Sequence, residues 1–79
     1  MRKQAYSILV YNNPGLLSRM AGLFSRRGYN IESITAGTTA DPRFTRITIV
    51  ASGDEQILSQ IEKQVRKMED VIEIKPLND

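Results

Sequence analysis

Between Tyr11 and Glu32 the chain reads Tyr-Asn-Asn-Pro-Gly-Leu-Leu-Ser-Arg-Met-Ala-Gly-Leu-Phe-Ser-Arg-Arg-Gly-Tyr-Asn-Ile-Glu. This stretch holds the end of a strand, a tight loop, one amphipathic helix and the start of another strand. Leu16, Leu17, Met20, Leu23 and Phe24 recur at helical spacing. Asn13 is a suitable N-cap, and Pro14 suits a first helical position, where no N–H is needed. The helix is therefore expected over about residues 14–27. Arg26 and Arg27 fall in its last turn, where cations complement the dipole, and Gly28 is the expected left-handed cap. Gly15 removes a side chain where the helix start is most open. Unpaired N–H groups there, with the positive end of the dipole, suit a small carboxylate. Every helix has such an end, so local chemistry alone favours a capped helix without a ligand.

The rest of the chain supplies three more strands and one more helix. Residues 4–11 read as strand one, apolar on both faces, with Ile8 and Val10 on one and Leu9 and Tyr11 on the other. Gly22 costs the first helix about 1 kcal/mol against Ala and is expected to permit close packing on a neighbour. Residues 30–39 form a Thr-rich strand with Gly37 inside, the pattern of an edge. Residues 40–43 turn the chain. Residues 44–51 alternate, with Ile47, Ile49 and Ala51 on one face. Ser52 to Glu55 has the spacing of a capping box for a second helix. Ile57, Leu58, Ile61, Val65 and Met68 form that helix's apolar stripe. Strand four is expected over residues 71–75, ended by Pro76.

The order β-α-β-β-α-β is the split βαβ pattern of ferredoxin-like α+β domains. Right-handed crossovers set the sheet order at 4-1-3-2, antiparallel throughout, with both helices on one face. Seventy-nine residues make one domain, 1–79, with a core small enough that oligomerisation is the expected supplement.

Composition narrows the chemistry. There is no Cys and no His, which excludes a thiol nucleophile, a His base and a zinc site of Cys or His type. It also excludes the usual soft-ligand metal chaperone of this architecture. Ser18 and Ser25 lack a His partner and read as exposed helix positions. Net charge is +2, with no basic stripe; strand one offers Tyr6 and, at its end on the opposite face, Tyr11, strand three offers only Phe44 at its rim, and the RNP1 pattern is absent, so nucleic acid is not an expected partner. An acylphosphatase cradle needs an Arg in the loop after strand one, which here holds Asn12-Asn13-Pro14-Gly15. No apolar run reaches membrane-spanning length and no signal-peptide core follows Arg2-Lys3. The expectation is a soluble cytoplasmic domain with no membrane contact.

Residues 12–33 closely resemble the ACT domain of the acetolactate synthase (acetohydroxyacid synthase) small subunit. Asp41-Pro42 with Thr45 to Val50, and Gln60 to Val71, continue the resemblance over almost the whole chain. The resemblance implies a regulatory subunit rather than a catalyst. Its partner would be a large catalytic subunit carrying thiamine diphosphate, Mg²⁺ and FAD, with no cofactor on this chain. It further implies feedback inhibition by a branched-chain amino acid, chiefly valine. Many family members carry a second C-terminal domain, so this chain is expected to be a short single-domain form or a truncation. The rival reading is a free-standing amino-acid-sensing ACT domain that serves another enzyme.

A free amino acid needs donors for its carboxylate, acceptors for its ammonium and an apolar pocket. The residues expected to provide these are Asn12, Pro14, Gly15, Leu16, Leu17, Asn30 and Ile31. N–H groups at Gly15 and Leu16 are the expected donors; Asn12 and Asn30 offer amides; Leu16, Leu17 and Ile31 offer walls. Strand two is expected to join two copies side by side, so that Asn30 of one meets the 12–17 loop of the other. The sheet face away from the helices, with Leu9 and Tyr11, is expected to meet another protein surface.

Overall fold

The computed structural model describes residues 2–77. In chain order the elements are β1 (Arg2–Tyr11), α1 (Leu16–Arg27), β2 (Asn30–Thr38), β3 (Phe44–Gly53), α2 (Glu55–Arg66) and β4 (Val71–Leu77). The sheet order is β2-β3-β1-β4, which is the expected 4-1-3-2 read from the other edge. Each neighbouring pair is antiparallel.

The core follows from the alternation. Ile8 stands opposite Ile47 on one side and Ile74 on the other. With Tyr6, Val10, Ile49 and Ala51 they form one buried sheet face. Leu16, Met20 and Phe24 of α1 and Leu58, Ile61 and Val65 of α2 complete the same cluster, so both helices lie on that face. Leu17 is on the exposed flank of α1. Gly22 meets only the Arg26 guanidinium, at 3.5 Å from where a Cβ would stand, so no neighbouring element packs closely there.

The ends of α1 differ from each other. At the C-terminus, Gly28 adopts φ 70° and ψ 25°. Its N–H donates to Ser25 O at 3.1 Å, and that of Tyr29 to Phe24 O at 3.0 Å, the paired bonds of a Schellman motif. The Phe24 and Tyr29 rings, 6.4 Å apart, supply its apolar contact. The N-terminus departs from expectation. The helix begins at Leu16, and its N-cap is Gly15, at φ 89° and ψ −9° with no side-chain cap. Leu16 N–H donates to Asn13 O at 3.1 Å. Pro14-Gly15 is thus the centre of a type II turn, which favours Pro first and requires positive φ second. A turn wins over one more helical turn because Gly15 is the one residue here that takes this φ without strain.

Strand and cap boundaries also shift together. β1 starts at Arg2, which pairs with Gly53, so β3 runs two residues past its expected end. Ser52 is then inside a strand and cannot cap a helix. The cap is Asp54, whose carboxylate accepts from Ile57 N–H at 2.8 Å. β4 continues through Pro76 to Leu77. Pro is tolerated there because β4 is an edge, paired with β1 alone.

Candidate effector site

The segment between β1 and α1 is held by hydrogen bonds. Asn12 N–H donates to Arg43 O at 2.7 Å, and Asn12 Nδ2 reaches Pro42 O at 3.4 Å. Both tie the loop to the turn between β2 and β3. Asn13 Nδ2 donates to Asp70 Oδ2 at 2.8 Å, so Asn13 does not cap α1. Arg19 Nη2 donates to the same oxygen at 2.6 Å. Asp70 lies 57 residues from Asn13, and the sequence reading gave it no place in the site.

These bonds leave the start of α1 open. No acidic side chain stands in its first turn. The N–H of Leu16 is spent on Asn13 O, which removes it from the expected donors. Among the described residues the N–H groups of Gly15, Leu17 and Ser18 have no partner. A Cβ built on Gly15 would meet nothing within 4 Å. The opening leads into a cavity of about 230 Å³ lined by Val10 through Leu17 with Ala36, Thr45 and Ile47. Donors, the dipole's positive end and apolar walls therefore converge on one small space, an arrangement suited to a small carboxylate with an apolar side chain.

Asn12, Pro14, Gly15, Leu16 and Leu17 all line this cavity; Asn30 and Ile31 do not. Asn30 pairs with Ser52, whereas Tyr11 pairs with Phe44. The two groups lie at opposite ends of β3, roughly 27 Å apart at about 3.4 Å per strand residue. Asn30 faces a separate cavity of about 470 Å³, with Arg27, Tyr29 and Asp54 among its walls. Ile31 borders an apolar hollow of about 250 Å³ with Phe24, Tyr29 and Ile34.

A bulge sits beside Asn30 and Ile31. The β2–β3 register shifts between Ile31 and Ser33. The extra residue, Glu32, accepts from Ser52 Oγ and pairs with Lys3 Nζ at 3.1 Å. The Ser52 bond, then Lys3, holds the Glu32 carboxyl below its usual range. At the other end, the Arg43 side chain does the same for Asp41, helped by a bond from the Arg43 backbone N–H. Arg43 also stacks over Phe44 at 5.1 Å, and Phe44 packs on Tyr11 at 5.6 Å. This leaves an aromatic pair on the sheet face away from the helices, with Tyr11 51% exposed and Phe44 half-buried. Among the described residues no three His, Cys, Asp or Glu side chains gather as a metal site, and no helix is long and apolar enough to cross a membrane.

The fold is that of an ACT domain. The ACT domain from GTP pyrophosphokinase of Chlorobium tepidum matches it with a TM-score of 0.79, over 99% of this chain and 88% of that one. At 15% identity, that likeness concerns the fold alone. The family is fixed by sequence. Residues 6–73 match the AHAS small subunit-like ACT domain, and the chain belongs to that family. It is 51% identical over 75 residues to the acetolactate synthase isozyme 3 small subunit of Escherichia coli K12, covering 95% of this chain and 46% of that one. It is 52% identical over 71 residues to a probable acetolactate synthase small subunit of Methanothermobacter thermautotrophicus, covering 90% of this chain and 42% of that one. The crystal structure of the acetolactate synthase small subunit from Thermotoga maritima matches with a TM-score of 0.90 at 41% identity, over 99% of this chain and 48% of that one. The chain thus spans about half the length of the curated relatives it matches.

Proposed function

We propose that this chain is the effector-sensing domain of an acetolactate synthase regulatory subunit. It binds a branched-chain amino acid, chiefly valine, and thereby inhibits a large catalytic subunit that it otherwise activates. The thiamine diphosphate, Mg²⁺ and FAD belong to that partner, and both subunits work in the cytoplasm. The observation that carries the reading is the type II turn at Pro14-Gly15 at the start of α1, where the N–H groups of Gly15 and Leu17, without partners among the described residues, belong to residues that line the cavity. Family membership supports the same reading.

The site is completed by a second copy. β2 is a sheet edge, and edges are satisfied by pairing. Antiparallel pairing of two β2 strands about a two-fold axis near Ile34 sets Asn30 opposite the partner's Thr38. Thr38 pairs with Thr45, which lines the cavity and pairs with Val10. The same operation therefore carries Asn30 and Ile31 of one copy toward the 12–17 loop of the other. Residues that lie far apart in one chain then form one site, with the amides of Asn12 and Asn30 facing the ligand's polar ends.

Isothermal titration with valine, set against serine and phenylalanine, tests the proposal. Selective valine binding is expected, together with co-purification of a thiamine diphosphate enzyme. Preference for serine or phenylalanine would instead assign the domain to a different enzyme.

A further inference from the structure

We infer that Asp70 is the positioning residue of the effector loop: it fixes the turn that aims the free N–H groups at the ligand. The inference rests on the effector reading above for its consequence, but the clamp itself is visible without it. Asp70 holds the segment at three points. Its backbone O accepts from Tyr11 N–H at 2.9 Å, before the turn. Its Oδ2 accepts from Asn13 Nδ2 at 2.8 Å, within the turn, and from Arg19 Nη2 at 2.6 Å, in the helix beyond it. One residue in the turn just before β4 thus brackets the Pro14-Gly15 turn.

Packing does not do this work. The space around Gly15 is open to 4 Å, and Asn12, Asn13, Pro14 and Gly15 are all exposed. On the other side, among the described residues, the loop is tied by Asn12 to the backbone of Pro42 and Arg43. Asp70, by contrast, is a well-anchored acceptor: its side chain is 20% exposed against 56% for Arg19. Pairing with Arg19 also offsets its negative charge, which would otherwise oppose an incoming carboxylate nearby.

Exposed ion pairs contribute little to stability, yet this one governs a conformational population. Apparent affinity falls in proportion to the fraction of molecules with the loop in its binding arrangement. If release of Asn13 leaves that arrangement populated about one-tenth of the time, the dissociation constant for valine rises about tenfold.

The experiment uses the full chain with Asp70→Ala, Asn13→Ala and the double variant. Amide hydrogen exchange is measured without ligand, and valine affinity by calorimetry. The expected result is faster exchange in Asp70→Ala at Asn12, Leu16 and Arg19, whose N–H groups donate to Arg43 O, Asn13 O and Gly15 O, and about tenfold weaker valine binding. The double variant should bind no more weakly than Asp70→Ala, because Asn13 acts through its contact with Asp70. A purely structural role would instead give additive losses that follow thermal stability. Unchanged exchange in Asp70→Ala overturns the clamp, whatever valine does. Faster exchange with unchanged valine affinity overturns the positioning role. If the parent binds no branched-chain amino acid, the effector reading and the positioning role built on it both fall, and the exchange data alone decide whether Asp70 holds the turn.

Discussion

Gly15→Asp, compared with Gly15→Asn, separates charge from backbone at the proposed site. Gly15 sits at φ 89°, where an L residue costs roughly 1–2 kcal/mol, with Asn and Asp the best tolerated. A Cβ would collide with nothing within 4 Å, so backbone strain is the main expense. The two variants share that strain. Asp recovers about 0.3–1 kcal/mol from the helix dipole, which Asn does not. Both should therefore fold, with the thermal midpoint lowered by roughly 4–16 °C for Asn and by less for Asp, at about 4–8 °C per kcal/mol for a domain of this size. Binding separates them. A carboxylate at position 15 would stand about 4 Å from the ligand's own, a repulsion of roughly 4 kcal/mol at an effective dielectric of 20. That corresponds to about a thousandfold loss. Asn lacks the charge and should stay within about tenfold of the parent. Valine calorimetry with circular dichroism melts as the folding control provides the assay. A folded Gly15→Asp protein that binds valine like the parent would refute the site. An equal loss in Gly15→Asn would show that the backbone conformation, and not the anion site, controls binding.

Four further outcomes are expected. In sedimentation, the chain should be a dimer at tens of micromolar, roughly the range in which small assemblies persist; a monomer there would remove the completed site. Tyr11→Glu, on the exposed face away from the helices, should leave folding intact and weaken activation of the large subunit; unimpaired activation would show that this face does not meet the partner. Glu32 has a lowered folded-state pKa, so its contribution is complete above the ordinary carboxylate range and is lost as pH falls through and below it. Glu32→Gln should accordingly flatten the acid limb of a plot of thermal midpoint against pH, and an unaltered limb would rule Glu32 out as its source. Gly53→Ala would place a Cβ 2.8 Å from Ile57 Cγ2, and the overpacking should cost about 1–3 kcal/mol in urea denaturation; a neutral result would mean that α2 shifts freely.

The parts of the fold legible in the sequence are those set by local period. Ile47, Ile49 and Ala51 alternate, and Leu58, Ile61 and Val65 recur at helical spacing; each lies in the core. Gly28 with the two preceding arginines marks a helix end, and it is one. What escaped depends on competition or on distance. Asn13-Pro14-Gly15 satisfies both a helix start and a type II turn, and the choice falls to a left-handed glycine that Pro-Gly signals but does not by itself decide. Ser52 and Asp54 compete for one cap; pairing of Arg2 with Gly53, 51 residues apart in sequence, settles it. The bulge at Glu32 is invisible to alternation because its neighbours on both sides keep a strand's composition. Of the seven residues expected at the site, the division between two ends of the sheet follows only from register.

That division has a consequence for how the effector acts. A site held within one chain would report ligand concentration alone. When half of it comes from a second copy, ligand binds the dimer and scarcely the monomer, so effector and assembly are linked reciprocally. At a valine concentration of about 100 times the dissociation constant, each occupied site stabilises the dimer by about 2.7 kcal/mol. Two symmetric sites give about 5.4 kcal/mol, or roughly a ten-thousandfold tightening of the dimer. In the proposed dimer the Pro14-Gly15 turn and β2 would become one switching element, because the ligand filling the first would draw the second into register. The Tyr11–Phe44 pair adjoins this element, since Tyr11 immediately precedes Asn12 and Phe44 follows Arg43, to which Asn12 is bonded. A change at the effector loop therefore has a direct covalent and hydrogen-bonded path to the face proposed for the catalytic subunit.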